Sequence, residues 1–261
     1  MIKHSIRIMG LCWRVLATGM CFTVFGMGGL LLTFLVFPLQ NLVAPDEDTR
    51  KARARATVHY CFKFFVALMH YSGVIRFHLQ HKQQLANLSG RLVLANHPSL
   101  IDVVVLISVI KNADCVVKAH LFNNPFMRGV IKNTGYISNE DPAGLLRDCQ
   151  RSLKQGNNLL VFPEGTRSTP HQAVKFKRGA ANIALRCHAP ISTVLIKMKP
   201  NTLTKGTPWY KVAPYQAHFT LQLANKQFDS PLSFSSDVAA IQSRQLTQRL
   251  QHYFTEELSN L

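Results

Sequence analysis

Residues 91–102 read Arg-Leu-Val-Leu-Ala-Asn-His-Pro-Ser-Leu-Ile-Asp, and this stretch decides the fold class. The apolar run at 91–95 predicts a buried strand, and the turn formers after it predict where the strand ends. The apolar residues 100–110 predict a helix, with Ser99 as a candidate N-cap and Asp102 in the first turn. His97 is therefore expected at the carboxyl end of a strand, which is where open α/β sheets bind ligands.

The pairing of His97 with Asp102 indicates acid–base chemistry. A carboxylate beside a histidine fixes the tautomer of the ring and stabilises the imidazolium that forms when the ring takes a proton. The spacing alone is a weak signal, because a solvated loop histidine followed by an aspartate at a helix start gives the same pattern. The rest of the chain has to decide between the two interpretations.

Composition limits the class of partner. The 261 residues are 47% hydrophobic, which is ample for a core, and the formal charge of +17 predicts a polyanionic partner. Nucleic acid, an anionic membrane and a phosphorylated substrate all fit, but no nucleic-acid recognition motif accompanies the charge. The six dispersed cysteines contain no C-x-x-C pair, which argues against a zinc site or a disulfide framework and favours a reducing compartment. No metal and no cofactor are expected.

The N-terminal region predicts a membrane anchor. Residues 15–39 contain no charge and are long enough to cross a bilayer, and they are too long for the apolar part of a signal peptide. Basic residues flank both ends, so the helix either spans the membrane or dips into one leaflet with both ends cytoplasmic. A second helix, expected at 49–72, is basic and then aromatic; it suits the surface of anionic lipid, or alternatively the interior of the soluble domain.

From residue 73 onward, strands and helices alternate. This pattern predicts an α/β fold in which a mixed, mostly parallel sheet is flanked by helices. We therefore expect N-terminal membrane-anchoring helices in 1–72, as a single helix or a helical hairpin, and one α/β domain in 73–261. The expected strands are 74–80, 91–96, 114–118, 136–137, 159–162, 191–198 and 218–223. The expected helices are 100–111, one starting at 124, 142–155, 174–187 and 236–258.

A second strand end carries polar groups. Residues 159–168 run from an apolar strand into a turn that contains Glu164, Gly165, Thr166 and Arg167. An arginine there can pair bidentately with a phosphate, although a surface arginine in an ordinary turn is the alternative. No acidic residue lies between Glu164 and Asp229. Such a one-signed field steers anions towards a cleft.

These segments together resemble the glycerolipid acyltransferase family, the lysophosphatidic acid acyltransferases and their relatives. Four blocks match in the family's order, over roughly residues 92–198. The first, 96–102, contains the His-x4-Asp motif of His97 and Asp102, and the third, 162–168, is the most specific and is followed by a matching 176–179. The second block, 118–137, is similar to the family's acceptor-binding block, and the fourth is 189–191.

The resemblance implies the glycerolipid acyltransferase fold and transfer of an acyl chain from an acyl-CoA or acyl carrier protein thioester to a lysophospholipid hydroxyl. His97 would be the general base and Asp102 would orient it. The acceptor's head would be held by residues of the third block and by two lysines: Glu164, Gly165, Thr166, Arg167, Lys118 and Lys177. The resemblance also implies membrane lipids as partners and, by analogy, a bacterial inner membrane with the catalytic domain on its cytoplasmic side.

One departure from the family pattern bears on the acceptor. Where the family often carries an Asp-Arg pair whose arginine helps to bind the acceptor's phosphate, this chain has Ser138, Asn139 and Glu140. The leading expectation for the acceptor is 1-acylglycerol-3-phosphate. The alternatives are a non-glycerophosphate acceptor, such as an aryl polyene or another specialised lipid, and a catalytically silent basic membrane adaptor.

Overall fold

The computed structural model describes residues 2–170, 172–224, 228, 234 and 238–261, with side chains from residue 7 onward. The chain begins with α1 (Ile2–Leu31), which continues through a π-helical turn (Leu32–Val36) into α2 (Phe37–Leu42). After a short turn, α3 (Glu47–Tyr71) begins at the N-cap Asp46, whose carboxylate accepts a hydrogen bond from the Thr49 amide at 2.8 Å. The N-terminal region is thus helix, turn, helix.

The seven strands form one sheet with the order β1-β7-β6-β2-β5-β3-β4. All neighbouring strands are parallel except β6 and β7, which confirms the mixed, mostly parallel sheet flanked by helices. The strands are β1 (Ile75–Leu79), β2 (Leu92–Ala95), β3 (Ala113–Val117), β4 (Ile137–Ser138), β5 (Asn158–Val161), β6 (Ile191–Lys199) and β7 (Ala217–Leu223). The remaining helices are α4 (Lys82–Ala86), α5 (Asp102–Val109), α6 (Arg128–Thr134), α7 (Pro142–Lys154), α8 (Arg178–Arg186) and α9 (Ala239–Asn260).

Three predicted helix starts are wrong. Ser99 is not the N-cap of α5; Ile101 takes that position, and the Ser99 hydroxyl donates to Asp102 instead. The helix expected from residue 124 begins at Arg128, after a 3-10 turn over Ala119–Asn123. The helix expected from residue 174 begins at Arg178, because the preceding residues stay extended while the Lys177 amide donates to the Pro163 carbonyl at 2.8 Å.

A separate hydrophobic core fills each side of the sheet. One core joins the sheet to the N-terminal helices, α5 and α6, and it includes Phe37, Phe65, Met69 and Phe219. The other joins the sheet to α7, α8 and α9 around Leu246 and Phe254. Burial of large apolar side chains on both faces explains why the central strands read as continuous apolar runs in the sequence.

The N-terminal helices pack directly on the α/β layers. On α3, Arg55 donates to the Asp114 carboxylate of β3 and to the Thr134 carbonyl, both at 3.3 Å. His59, also on α3, bonds the Ile107 carbonyl of α5 at 2.7 Å. The second helix therefore shares its core with the sheet, as the alternative interpretation of that segment required.

The first helix crosses α6 at very short range. Gly129 on α6 faces the Thr33 side chain, and a Cβ added at Gly129 would overlap the Thr33 hydroxyl oxygen. Gly29 on α1 faces the Phe126 carbonyl in the same way, at 2.6 Å. Gly29 thus lets α1 approach the backbone at Phe126, and Gly129 makes room on α6 for the Thr33 side chain.

The outer surface of the first helix is apolar. The segment Arg7–Leu42 has a mean hydropathy of 2.1 in its most apolar window, of which 17% is buried, and it is long and apolar enough to cross a membrane. Its exposed side chains include Met20, Met27, Phe34 and Leu35. A helix of this length with so little of its apolar surface covered is more typical of a membrane segment than of a soluble core helix.

Candidate active site

The histidine and aspartate meet at the carboxyl end of β2. The strand ends at Ala95, the chain turns, and α5 begins at Asp102. His97 Nδ1 and Asp102 Oδ2 are 2.7 Å apart, so the predicted pair is formed. The second ring nitrogen, Nε2, has no hydrogen-bond partner among the residues that the structure describes, which leaves it available to a substrate.

Asp102 is held as an acceptor by the turn that precedes it. Its side chain is completely buried, and it accepts from the Ser99 amide at 2.7 Å and from the Ser99 hydroxyl as well as from His97. Burial raises the pKa of Asp102 above its ordinary value, while the bonds from His97 and Ser99 oppose that rise. A carboxylate fixed in this way selects the tautomer in which Nδ1 carries the proton.

Glu164 holds the backbone of the histidine turn. Its Oε1 accepts from the His97 amide at 2.9 Å and from the Ser168 hydroxyl at 2.8 Å. The Ser168 amide in turn donates to the His97 carbonyl at 2.7 Å. Burial raises the pKa of Glu164 above its ordinary value, and the hydrogen bonds from His97 and Ser168 oppose that rise. Two residues of the third block, Glu164 and Ser168, therefore hydrogen-bond the amide and the carbonyl of His97.

The ring of His97 is also fixed by packing. Phe162, at the end of β5, stacks on it with ring centroids 4.1 Å apart and an interplanar angle of 25°. On the other side, Asn96 joins β2 to β6, because its side-chain amide donates to the Ile196 carbonyl at 2.7 Å and accepts from the Ile196 amide at 2.8 Å. Phe162 thus holds the imidazole, and Asn96 fixes the backbone just before it, as a preorganised base requires.

The other predicted site residues lie in two separate places, beside the histidine turn and after β3. Gly165 (φ +66°), Thr166 and Arg167 lie beside the histidine turn, and the side chain of Lys177 lies over Gly165, within 3.4 Å of where a Cβ there would be. Lys118 is exposed at the start of the 3-10 turn after β3. The structure therefore brings Lys177 next to the third block.

Arg167 is engaged by the protein itself. Its Nη1 donates to the carbonyls of Leu203 and Thr204, at 3.2 and 3.1 Å. The Leu203 carbonyl also accepts from the Leu100 amide at 3.0 Å. Residues 203–204 thus lie between the third block and the residue that follows Ser99, in the basic segment after Met198 that the sequence indicated as able to shape the pocket. The hydrogen bonds by which Ser99 holds Asp102 and Ser168 holds Glu164 were not predicted, although both serines stand inside the matching blocks.

Replacing Glu164 tests whether it positions His97 or binds the acceptor. Glu164→Ala leaves the His97 amide without an acceptor, and we expect the free energy of unfolding to fall by about 1–3 kcal/mol. We also expect kcat to fall by about 10²-fold, because a small displacement of a catalytic group is costly. Glu164→Gln keeps an acceptor oxygen and should lose less. A rise in the acceptor's KM at unchanged kcat in both variants would assign Glu164 to acceptor binding instead.

The sequence is similar to known acyltransferases over the region that contains the site. The Acyltransferase family model matches residues 76–197, which include every predicted site residue. A 1-acyl-sn-glycerol-3-phosphate acyltransferase from Helicobacter pylori is 28% identical over 177 residues, covering 63% of this chain and 70% of that protein. A chloroplastic 1-acyl-sn-glycerol-3-phosphate acyltransferase from Brassica napus is 25% identical over 204 residues, covering 75% of this chain and 55% of that protein.

A solved structure extends the likeness to the N-terminal helices. The crystal structure of the 1-acyl-sn-glycerophosphate acyltransferase PlsC from Thermotoga maritima has a TM-score of 0.68, with 97% of this chain and 98% of that chain covered. At 20% identity, this comparison speaks to the fold. The Acyltransferase family match over residues 76–197, the enzyme relatives and the shared fold together support a PlsC-like glycerolipid acyltransferase.

Proposed function

We propose that this acyltransferase moves a fatty acyl chain from a thioester donor to the hydroxyl of a lysophospholipid, and that its acceptor is 1-acylglycerol-3-phosphate. The observation that carries the proposal is the position of His97. Its Nδ1 is bound to a buried aspartate, its Nε2 is free of partners in the described part of the chain, and a basic segment lies beside it. The names of the relatives from Helicobacter pylori and Brassica napus support the same acceptor.

The proposed reaction needs one base and no covalent enzyme intermediate. Nε2 of His97 takes the proton of the acceptor's hydroxyl while the oxygen attacks the thioester carbonyl. Asp102 stabilises the imidazolium that results. The tetrahedral intermediate then expels the thiolate, which takes up the proton from the imidazolium. The products are the acylated acceptor and the free thiol, and His97 returns to its starting state.

We propose Lys177 as the principal cation for the acceptor's phosphate. One guanidinium nitrogen of Arg167 already donates to two backbone carbonyls, so its main contribution is to hold the segment 203–204. The Lys177 side chain lies over Gly165 and forms no ion pair among the described residues. An exposed ammonium beside the catalytic turn can bind a phosphate without first breaking an internal contact.

We further propose that the reaction takes place at a membrane surface, with the catalytic layers on the cytoplasmic side of a bacterial inner membrane. The apolar outer face of α1 supports membrane association, since its exposed side chains find no cover within the described structure. The six free cysteines support a reducing compartment. The lysophospholipid and its product both partition into the bilayer, so an enzyme at the interface meets them there.

The acceptor assignment is tested by replacing Lys177 and offering a panel of lysolipids. With 1-acylglycerol-3-phosphate, we expect Lys177→Ala to raise the acceptor's KM about tenfold, since a charge-assisted contact to phosphate is lost. The donor's KM should stay unchanged. Lys175→Ala, which removes another exposed cation two residues away, is the matched control and should leave both constants unchanged.

The same panel separates the alternatives. Transfer to a non-phosphorylated lipid, with none to 1-acylglycerol-3-phosphate, would replace the proposed acceptor, and the departure at Ser138, Asn139 and Glu140 is the feature that favours this outcome. Glu140 is exposed just after β4, and a carboxylate near the bound acceptor would repel its phosphate. Absence of transfer to every acceptor would contradict the enzyme proposal and favour a basic membrane adaptor.

A further inference from the structure

Residues 200–216, which we call the β6–β7 loop, are attached to the rest of the protein near both ends. Near the start of the loop, the Leu203 carbonyl accepts a hydrogen bond from the Leu100 amide of the histidine turn at 3.0 Å. Near its end, the Pro214 carbonyl accepts from Nη2 of Arg14 on α1 at 2.6 Å. The loop therefore connects the first helix to the turn that carries the catalytic histidine.

Between these two attachments the tip of the loop is exposed, aromatic and basic. Trp209 and Tyr210 are exposed by 45% and 59%, and the neighbouring Lys205 and Lys211 are exposed as well. The loop contains no aspartate or glutamate. Across the described residues, no carboxylate forms an ion pair with either lysine. The tip thus combines large rings that carry a polar group with positive charge that the protein does not neutralise.

The tip lies against the side of α1. A Cβ added at Gly19 would lie 3.2 Å from the ring of Trp209, so the glycine lets the ring approach the helix closely. The rings of Trp209 and Phe22 are also neighbours, with centroids 6.3 Å apart. Leu16 and Met20, on the same turns of α1, are exposed. The aromatic tip is therefore continuous with the apolar outer surface of the first helix.

Exposed tryptophans and tyrosines gather around this part of α1. Both tryptophans of the chain and three of its six tyrosines belong to the group, with exposed fractions between 45% and 86%: Trp13, Tyr71, Trp209, Tyr210 and Tyr215. Trp13 Nε1 donates to the Ser72 carbonyl at 2.9 Å, which brings Trp13 to the residue after Tyr71. Two other tyrosines are buried, and Tyr60 is exposed near the middle of α3. We call the five residues the aromatic collar.

The first helix has a different surface beyond the aromatic collar. Its exposed large apolar side chains there include neither tryptophan nor tyrosine: Val24, Met27, Leu31, Phe34, Leu35, Leu39 and Leu42. Tryptophan and tyrosine are enriched where a membrane meets water, because their rings are apolar and their N–H and O–H groups stay hydrated. Purely apolar side chains suit the hydrocarbon layer instead. The division of the surface is therefore the one expected of a helix that passes from headgroups into hydrocarbon.

We infer that the β6–β7 loop is a second membrane contact, in which Trp209 and Tyr210 lie among the headgroups of an anionic bilayer and Lys205 and Lys211 face the lipid phosphates. The inference rests on the proposed function, since it takes α1 to lie in a membrane. It adds a contact outside the N-terminal helices. Its position against α1 favours lipid over a protein partner, because the surroundings of the tip would be the bilayer surface itself.

The contact has a consequence for the catalytic site. Because Leu203 binds Leu100 in the histidine turn, a loop held among the headgroups brings that turn to the membrane surface. A lysolipid carries its free hydroxyl close to its headgroup. The reacting hydroxyl would thus reach His97 without the acceptor leaving the bilayer. Lysines near an anionic surface strengthen such a contact, and salt weakens their contribution.

The test uses the chain's two tryptophans one at a time. In full-length Trp13→Phe, reconstituted into vesicles of phosphatidylcholine and phosphatidylglycerol, Trp209 is the remaining tryptophan. We expect its fluorescence to be quenched by lipids brominated near the headgroup more strongly than by lipids brominated at the chain end. Trp13→Phe/Trp209→Phe/Ile241→Trp moves the tryptophan to an exposed position on α9, on the other face of the sheet. This control should be quenched by iodide in the water and not by brominated lipid.

Trp209→Phe keeps Trp13 and reports whether α1 itself meets lipid. Both single substitutions retain an aromatic ring, and the measurement needs neither acyl donor nor acceptor, so its result does not depend on the reaction. Quenching of Trp13 by brominated lipid without quenching of Trp209 would overturn the inference and leave the membrane position of α1 standing. Quenching of neither tryptophan would overturn both. Because the vesicles contain no other protein, this second result would leave the tip to a protein partner.

The charge of the tip is tested in the Trp13→Phe background. Two lysines beside an anionic surface favour the contact by about tenfold or more. Lys205→Ala/Lys211→Ala should therefore weaken the quenching of Trp209 by brominated lipid in vesicles that contain phosphatidylglycerol, and should have little effect in pure phosphatidylcholine. Arg147→Ala/Lys154→Ala removes two exposed cations on α7 and is the matched control. Equal quenching in all three proteins would overturn the role given to the lysines.

Discussion

Replacing His97 by alanine is expected to lower kcat by about 10² to 10⁴-fold, the usual contribution of a positioned general base. The reason is geometric: Nδ1 is bound to Asp102 at 2.7 Å, so Nε2 is the only ring nitrogen that can receive the proton of the acceptor. The KM values of donor and acceptor should change little, because the imidazole acts on the reacting hydroxyl. The measurement is steady-state transfer of a labelled acyl chain at saturating substrates.

Two controls make this result specific to the ring of His97. His252→Ala removes an exposed histidine on α9 and should leave kcat unchanged. Asp102→Asn keeps the turn's shape but can place its amide towards Nδ1, which favours the wrong tautomer, and it should lower kcat nearly as far as His97→Ala. Substantial activity in the His97→Ala enzyme would contradict the mechanism.

The second large effect concerns stability. Arg55 and Asp114 are buried, with side chains 7% and 3% exposed, and they join α3 to β3. Arg55→Met leaves the Asp114 charge without its partner, and we expect the free energy of unfolding to fall by about 3–5 kcal/mol. Denaturant unfolding of the detergent-solubilised chain measures this loss. Arg50→Met, on the exposed face of the same helix, is the matched control and should change little.

A compensating variant shows whether the unpaired charge causes the loss. Asp114 also accepts from the Ser152 hydroxyl at 2.7 Å, so asparagine keeps an acceptor there without the charge. Arg55→Met/Asp114→Asn should therefore recover much of the stability. Unfolding of the double variant at the same denaturant concentration as Arg55→Met would show that lost packing, rather than charge, is responsible.

The stability of Arg55→Met should depend on pH because of the buried carboxyl group of Asp114. Burial raises the pKa of Asp114 above its ordinary value, and Arg55 partly offsets that rise. A folded-state pKa above the unfolded value means that the folded chain holds a proton that the unfolded chain releases, so stability falls as pH rises between the two values. The pH range between the folded and unfolded pKa values of Asp114 widens when Arg55 is removed, because Arg55 no longer offsets the rise caused by burial. The destabilisation by Arg55→Met should thus be smaller in mildly acidic buffer than at neutral pH.

The succession of strands and helices along the chain followed from the hydrophobic pattern, but their boundaries depended on tertiary contacts. The seven expected strands are all present, because each is a short apolar or alternating segment between turn formers. The late start of α8 at Arg178 could not be predicted, since the extended conformation before it depends on the bond from Lys177 to Pro163 in another part of the chain. Pairing of Arg55 with Asp114 was equally hidden, because their separation of 59 residues carries no periodic signal.

The sequence predicted the pair of His97 and Asp102, but it did not predict the hydrogen bonds that hold His97 in place. The pair of His97 and Asp102 is local, so a six-residue stretch was enough to indicate it. Glu164 was assigned to the acceptor from the resemblance, whereas its described hydrogen bonds go to His97 and Ser168. The role of a side chain in holding another turn depends on where two strands end relative to each other, and sequence alone does not give that register.

The contact of Thr33 with Gly129 ties the first helix to the catalytic layers at a fixed height. Because the Thr33 side chain packs on Gly129 and Gly29 packs on the Phe126 carbonyl, the first helix cannot slide along its own axis without moving α6 and the segment before it. If α1 lies in a bilayer as proposed, the site at His97 therefore has a fixed depth relative to the lipid headgroups. In that arrangement the helix would set the depth of the site as well as anchor the chain.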